Sequence, residues 1–294
     1  MTNFICNNKK IIGIIFFIFV IFTISMTITA EIVIEGKLIR EHSTQTGETY
    51  REYIQIKNNS SYPTHVKIYQ TDYIFSHQGW SRYPEPAGYL ERSNANWITF
   101  SPSLTIIPPH ENATVNCTIK IPSNDSLIGT YWSMLMIEEM IPDDKTNTFI
   151  SAETQVSDHT LALQQIMRYG IQLVSHIGNS GTEIIKILDQ RLLSAAPLHP
   201  DTKNTEKRVG EYILQLDIEN NGERLLRPTA WVDLYDLNGS FMGKFEGGKY
   251  IIYPGNSVRY KINLSNLSSQ EYKALVVLDN GDENIWGSQF TLSL

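Results

Sequence analysis

The sequence predicts an all-β protein built from two tandem β-sandwiches behind an N-terminal export signal. Three observations support this prediction. Apolar residues recur with period two over most of the chain, clusters of Gly, Pro, Asn and Ser separate the alternating segments, and the first 30 residues have the composition of a secretory signal. No segment shows the sustained 3.6-residue periodicity of an amphipathic helix.

The N-terminal segment opens with Lys9 and Lys10, continues as an apolar run over residues 11–22, and ends in small residues before Ala30. This order is typical of a signal peptide, and we expect cleavage after Ala30. The run is shorter than the roughly 20 apolar residues that span a membrane. Extended to Ile28, the run is also compatible with an uncleaved anchor. We expect contact with the membrane only through this segment, and only if it stays uncleaved. The predicted location is periplasmic or extracellular.

The formal net charge is −7, and it becomes −9 without the first 30 residues, which hold two Lys and no acidic residue. A chain of this balance lacks the basic surface that nucleic acid requires, so no nucleic-acid partner is expected. Beyond the signal segment the only cysteine is Cys117. The alternating residues around it predict a strand with the thiol buried inside.

Two sets of strands follow the signal, and they predict domains over residues 31–176 and 177–294. The first set comprises residues 32–40 as the opening strand, then 53–56, 65–69, 98–100, 113–121, 129–138 and 161–174. The second comprises residues 183–188, 212–218, 229–235, 240–245, 257–264, 271–278 and 289–294. Short strands separated by turn clusters are typical of immunoglobulin-like sandwiches. Asn238-Gly239 predicts a two-residue hairpin turn.

Three interruptions lie between the strands. Residues 141–158 and 193–208 are polar and predict loops. Residues 75–96 are rich in aromatic side chains, among them Trp80 and Tyr83. A connection of this length in a compact domain is usually functional or disordered. Either its aromatics pack over one edge of the sandwich, or Trp80 and Tyr83 contact a partner.

Catalytic motifs are missing from the sequence. The seven His are scattered without metal-ligand spacing, and no nucleophile elbow, phosphate loop or dinucleotide fingerprint occurs. The acidic residues at 279–284 could hold calcium, but a hairpin loop explains them without a metal. We therefore expect no enzyme activity, no cofactor and no metal.

The order of the segments in the first domain resembles that of the PapD-like periplasmic pilus-assembly chaperones. The resemblance rests on Ser101-Pro102-Ser103-Leu104-Thr105-Ile106-Ile107-Pro108-Pro109-His110, on the strand that begins Gly129-Thr130-Tyr131-Trp132, and on the terminal Ile171-Gln172-Leu173-Val174. It implies two immunoglobulin-like domains, of which the first donates its last strand to a pilus subunit. The second domain is similar only in being a β-sandwich.

The resemblance also implies a set of partner-binding residues. An alternating apolar face on the terminal strand would be donated, or it would cover the domain's own core; it consists of Leu161, Leu163, Met167, Tyr169, Ile171 and Leu173. In the chaperone family an Arg on the first strand and a Lys on the last hold a subunit's terminal carboxylate. Lys37 or Arg40 matches the first position, Gln172 replaces the Lys, and Arg168 lies nearby.

Two hypotheses about function follow. The first is a chaperone-like protein that binds another exported polypeptide by β-strand pairing, without covalent chemistry, during assembly of a pilus or surface structure. The second is an adhesion module of the envelope or cell surface, whose aromatic loop grips an envelope component.

Overall fold

The computed structural model describes residues 32–140, 166–195, 211–264, 267, 268 and 270–294. The signal segment, the loop at 141–158, and Leu161 and Leu163 lie outside these residues, as does most of the loop predicted at 193–208. Almost all regular structure in the described part is strand; the exception is a 3-10 turn at Ala95–Trp97. No helix in these ranges is long and apolar enough to cross a membrane.

The first sandwich consists of a four-stranded and a five-stranded sheet. The four-stranded sheet has the order β1 (Ile32–Glu35), β3 (Thr49–Asn58), β9 (Asn112–Lys120) and β7 (Ile98–Ser101). The five-stranded sheet has the order β2 (Ile39–Thr44), β11 (Arg168–Ile177), β10 (Gly129–Met140), β4 (Thr64–Thr71) and β8 (Leu104–Ile107). Every pair is antiparallel except β2 and β11, which are parallel.

The second sandwich also has two sheets. One has the order β12 (Ile185–Ala195), β13 (Glu211–Asn220) and β16 (Ser257–Asn263). The other has the order β15 (Phe241–Lys249), β14 (Thr229–Tyr235), β17 (Glu271–Asp279) and β18 (Ile285–Ser293). Each sandwich has a separate apolar core. The prediction of an all-β chain with two tandem sandwiches is confirmed.

The N-terminal stretch joins both sheets of the first sandwich. It pairs with β3 as far as Glu35, turns at Gly36 with a φ of 88°, and continues beside β11 as β2. Glycine adopts this left-handed backbone without the steric cost of a Cβ atom. The prediction of one strand over residues 32–40 is therefore wrong, because the chain changes sheets in the middle of it.

Alternation explains how the first core is filled. Val115, Cys117 and Ile119 of β9 all point inward, and Cys117 is 1% exposed. Burial, together with the nearby charge of Glu52, raises the pKa of the Cys117 thiol to about 12. The thiol is therefore protonated at neutral pH, which agrees with the buried and unreactive cysteine that the sequence predicts.

Two hairpins of the second sandwich differ in how closely they match the sequence. The chain turns between β17 and β18 at residues 280–284, as predicted, and the Asn280 amide donates to the Asn284 carbonyl at 3.2 Å. The hairpin predicted at Asn238-Gly239 forms between β14 and β15, but the prediction of a two-residue turn is wrong. The chain turns over residues 236–240, where the Asp236 carbonyl accepts from Gly239 at 3.0 Å and Gly239 alone has a positive φ of 89°. This is a type I turn followed by a left-handed glycine.

The long connection after β4 contains a small hairpin and a loop. The hairpin is formed by β5 (Ile74–Phe75) and β6 (Ser81–Arg82). The loop is held by the buried carboxylate of Asp72, which accepts hydrogen bonds from the amides of Gly88, Tyr89 and Leu90 at 3.0 to 3.2 Å. The hydroxyl of Ser93 donates to the same carboxylate.

A third apolar cluster joins the two sandwiches. Trp132 of β10 and Tyr253 stack with ring centroids 4.6 Å apart, and both rings are almost fully buried. Val174 and Leu225 complete the buried part of this cluster. Hydrogen bonds continue the contact, since Thr130 donates its amide to the Glu223 carbonyl at 2.8 Å. The sandwiches are thus joined by packing as well as by the connecting chain.

Candidate polypeptide-binding edge and inter-domain cavities

Strand β11 has an edge that is paired over only part of its length. On one side it pairs with β10 from Arg168 to Ile177, whereas β2 covers the other side only from Gln172 onward. Because successive backbone groups of a strand point to opposite sides, the N–H and C=O groups of Arg168 and Gly170 face the uncovered side. Within the described residues, no neighbouring strand pairs with this stretch.

Side chains of β11 alternate between the core and the outer face. Ile171 and Leu173 are at most 1% exposed and belong to the core of the first sandwich. Tyr169 packs against the same core and donates from its hydroxyl to the Ile32 carbonyl at 2.7 Å. Of the two alternatives for the apolar face, the structure shows that Tyr169, Ile171 and Leu173 cover their own domain. The strand also begins and ends later than residues 161–174, the range predicted from the sequence.

The outer face of this edge borders a cavity of about 320 Å³, which we call the outer cavity. Its lining residues come from the sheet and from the long connection: Tyr73, Tyr83, Met134, Met136, Arg168, Gly170 and Gln172. The rings of Tyr73 and Tyr83 stack with centroids 5.5 Å apart, and Tyr83 is 48% exposed. The lining thus combines two Met side chains and two Tyr rings with the polar side chains of Arg168 and Gln172.

A second cavity of about 420 Å³ lies between the sandwiches and shares Tyr73 and Gln172 with the outer cavity. One wall is the β5–β6 hairpin, including Trp80, whose ring lies under the Arg82 guanidinium. The opposite wall comes from the second sandwich and includes Tyr253, whose hydroxyl donates to the Gln172 side chain. We call this space the inter-domain cavity.

The hairpin is fixed to the second sandwich by hydrogen bonds. The Phe75 amide donates to the Asn256 side chain at 2.7 Å, and the His77 amide donates to the Ser257 hydroxyl at 3.1 Å. The aromatic part of the long connection thus packs between the two sandwiches. Trp80 and Tyr83, which the sequence grouped together, line two different cavities.

Arg168 forms an ion pair at the end of the free edge. Its guanidinium lies 3.0 Å from the Glu138 carboxylate, which also accepts from the Tyr69 hydroxyl at 2.7 Å. Burial alone would raise the pKa of Glu138, but the hydrogen bonds from Tyr69 and Arg168 outweigh it and lower the pKa. The pair is solvent-accessible, since Arg168 is 53% exposed, so its contribution to stability is small.

A more buried ion pair borders the inter-domain cavity. Arg259 donates two hydrogen bonds to Asp217, at 2.6 and 2.7 Å, and the Asp217 side chain is 3% exposed. These hydrogen bonds are the main reason that the pKa of Asp217 is lowered, and they outweigh the effect of burial. Because Arg259 is already paired, it is not a free cation for a ligand in the cavity.

Acid should weaken the protein through this ion pair. A carboxyl whose pKa is lowered by folding stabilises the fold above its unfolded pKa of about 3.9, and this contribution is lost as the pH falls further. We expect Asp217→Asn to lower the free energy of unfolding by about 2 kcal/mol at pH 7 and by much less at pH 2. Urea unfolding across this range checks the prediction. Asp125→Asn, on an exposed turn, is the control. An equal effect of Asp217→Asn at both pH values would contradict the prediction.

The cationic residues expected at the site do not meet there. Lys37 is exposed in the turn between β1 and β2, and the Arg40 guanidinium donates back to the Glu35 carbonyl at 2.9 Å. Neither lines the outer or the inter-domain cavity. Met167 is half-buried just before β11, and Arg168 alone among the candidate cations lies at the outer cavity.

Sequence reasoning missed Tyr73, Met134, Gly170 and Tyr253 as parts of this region. Met134 and Gly170 are separated by 36 positions in the sequence and become neighbours only through the register of β10 and β11. Their one detectable signal in the sequence is alternation, since the even-numbered residues of β10 and β11 lie on the face opposite to the inward-facing odd-numbered residues.

The acidic loop at 279–284 contacts Glu183. The side-chain amides of Asn280 and Asn284 donate hydrogen bonds to the Glu183 carboxylate. Within the described ranges no three His, Cys, Asp or Glu side chains are placed to hold a metal.

No protein-family model matches the chain, and no curated protein matches its sequence. Solved structures of fimbrial chaperones resemble it over most of its length. The class 5 fimbriae chaperone CfaA is 15% identical, with 90% of this chain and 100% of that chain covered and a TM-score of 0.46. The complex of CsuC and CsuE from the archaic chaperone-usher Csu pili of Acinetobacter baumannii is 14% identical. It covers 89% of this chain and 98% of that chain, with a TM-score of 0.42. A PapD-like domain of human CEP192 matches 52% of this chain and 92% of its own length, at 13% identity and a TM-score of 0.33.

Proposed function

We propose that this chain is a non-enzymatic, chaperone-like protein that binds another exported polypeptide. A strand of that partner is added to the free edge of β11. The observation that carries the proposal is the uncovered edge at Arg168 and Gly170, next to the outer cavity. The signal segment predicted from the sequence supports an encounter in the periplasm or outside the cell, and we propose assembly of a pilus or another surface structure as its context.

An unpaired strand edge supports this function for a physical reason. Its N–H and C=O groups accept a further strand through main-chain hydrogen bonds, and an adjoining pocket adds selection among side chains. The opposite edge of the same sheet, β8, offers the same backbone groups, but it does not line either of these two cavities. The edge of β11 therefore combines both requirements of strand recognition.

The apolar residues Tyr169, Ile171 and Leu173 have a different role in this proposal. They hold β11 in its own domain, and the backbone together with the outward-facing side chains meets the partner. The proposed contact residues are thus Arg168, Gly170 and Gln172, with Tyr83 on the neighbouring loop.

An adhesion module is the second candidate, and one observation favours it. Tyr89 is 81% exposed on the long connection, and exposed aromatics are enriched in interfaces. Trp80, in contrast, is half-buried in the hairpin that contacts the second sandwich. Replacement of Tyr89 with Ala would reduce binding only under this second function.

Proline substitutions test the free edge. Arg168→Pro removes an N–H that points away from β10, so the β10 ladder keeps its hydrogen bonds. We expect this change to weaken the binding of an exported subunit encoded beside this chain about fivefold, which is the effect of losing a hydrogen bond of about 1 kcal/mol. Biolayer interferometry with the purified variant and this subunit measures the change.

Two controls separate the backbone effect from other causes. Arg168→Ala removes the side chain and its ion pair with Glu138 but keeps the N–H, so it measures the effect of the side chain alone, and it should bind clearly more tightly than Arg168→Pro. Ile106→Pro places a proline at the outward N–H of the opposite edge and should leave binding unchanged. Equal binding by Arg168→Pro and Arg168→Ala would sink the strand-pairing proposal.

A further inference from the structure

The free edge of β11 contains a glycine in the middle of a strand. Gly170 pairs with Met136 across β10, on the face that lines the outer cavity. A Cβ atom built on Gly170 would lie 2.4 Å from the Met134 sulfur, so the Met134 side chain occupies the place of the missing side chain. The flexible Met134 side chain thus lies over the Gly170 backbone, beside the edge that no described strand covers.

An aromatic side chain on an adjacent strand can cover the backbone of a glycine at a sheet edge. On the β10 side the adjacent residue is Met136, which is already buried. On the other side the adjacent strand would be the added one. A strand bound at this edge would therefore place one of its side chains directly beside Gly170.

The walls of the outer cavity suit an aromatic ring. Tyr83 offers a half-exposed ring. The Arg168 side chain is 53% exposed even though it is paired with Glu138, and the plane of a guanidinium stacks well on an aromatic ring. Met134 and Met136 form a floor of flexible and polarisable side chains, which pack well against aromatic rings. A volume of about 320 Å³ is ample for one such side chain.

We propose that the outer cavity is a selectivity pocket for one aromatic side chain, carried by the strand that pairs with β11 and placed opposite Gly170. This inference rests on the proposed function and names the feature by which a partner strand is chosen. The main-chain hydrogen bonds accept any extended segment, whereas the pocket favours a segment with an aromatic residue at a single position.

Two short peptides of alternating Thr and Val, blocked at both ends and with Phe or Ala at the centre, test the pocket. They are titrated into the purified protein labelled with ¹³C at the Met methyl groups. We expect the Phe peptide to bind about fivefold more tightly than the Ala peptide, within the range of favourable cross-strand pairs. Its ring current should move the Met134 and Met136 methyl signals upfield, while Met242, on the second sandwich, stays unchanged.

Two variants sharpen the experiment. Gly170→Thr places a strand-favouring side chain where the end of the Met134 side chain lies, so Met134 has to move aside. Tyr83→Ala removes an exposed wall and leaves the core intact. Both should abolish the preference for Phe. Equal affinities of the two parent complexes, or unshifted Met134 and Met136 signals, overturn the pocket and leave strand pairing in place. Failure of both peptides to bind overturns strand pairing itself.

Discussion

Replacing Asp72 with Ala is expected to lower the free energy of unfolding by about 3 to 5 kcal/mol, because hydrogen bonds to a charged group contribute roughly 1.5 to 3 kcal/mol each and do not add fully. The Asp72 side chain is fully buried and accepts from three consecutive amides, at Gly88, Tyr89 and Leu90, and from the Ser93 hydroxyl. Without the carboxylate these donors lose their partner in a site that water reaches poorly.

The loss should concentrate in the loop before it spreads through the domain. Hydrogen exchange of the Gly88, Tyr89 and Leu90 amides should accelerate strongly, while amides in the centre of β3 keep their protection relative to global unfolding. Asp72→Asn is the informative second variant, since it keeps the shape but replaces one acceptor with a donor. Asp125→Ala is the surface control. If Asp72→Ala costs no more than that control, the loop has another anchor.

The second large effect is expected at the junction of the sandwiches. Trp132→Ala should lower the free energy of unfolding by about 3 to 4 kcal/mol, as large-to-small substitutions of buried aromatics do. The ring stacks on Tyr253, and its N–H donates to the Tyr73 carbonyl at 2.8 Å. Because the stacked pair joins the first sandwich to the second, the variant should also widen the angle between the sandwiches.

Denaturant unfolding and small-angle X-ray scattering measure these two consequences separately. Trp132→Phe keeps a ring for stacking and loses only the N–H donor, so about 1 kcal/mol is expected. Trp231→Ala, at a half-exposed Trp of the second sandwich, serves as the matched control. A loss at Trp132 that equals the loss at Trp231 would show that the junction adds little to stability.

Period-two alternation was enough to predict both sandwiches, because each inward residue is one that a packed core requires. Tyr169, Ile171 and Leu173 were correctly placed on one face. Alternation does not reveal which surface that face meets, and here it meets the core of its own domain. The partners of a strand depend on long-range register, and no local pattern of residues encodes it.

Short elements escaped prediction for a related reason. Strands β5 and β6 have two residues each, too few to show any period. Their position is fixed by contacts with Asn256 and Ser257, about 180 residues further along the chain. The cavities form where such distant segments meet, so the sequence offered Trp80 and Tyr83 as candidates but not their neighbours.

The change of sheet at Gly36 has a consequence for the order in which the molecule can form. β2, near the start of the chain, pairs with β11, the last strand of the first sandwich, more than 120 residues later. In a chain that is made or delivered from its N-terminus, β1 can pair with β3 early, whereas β2 cannot complete its pairing until residue 177 is available. Contacts of such high sequence separation slow folding. The first sandwich should close late, as a single step, when its two ends meet.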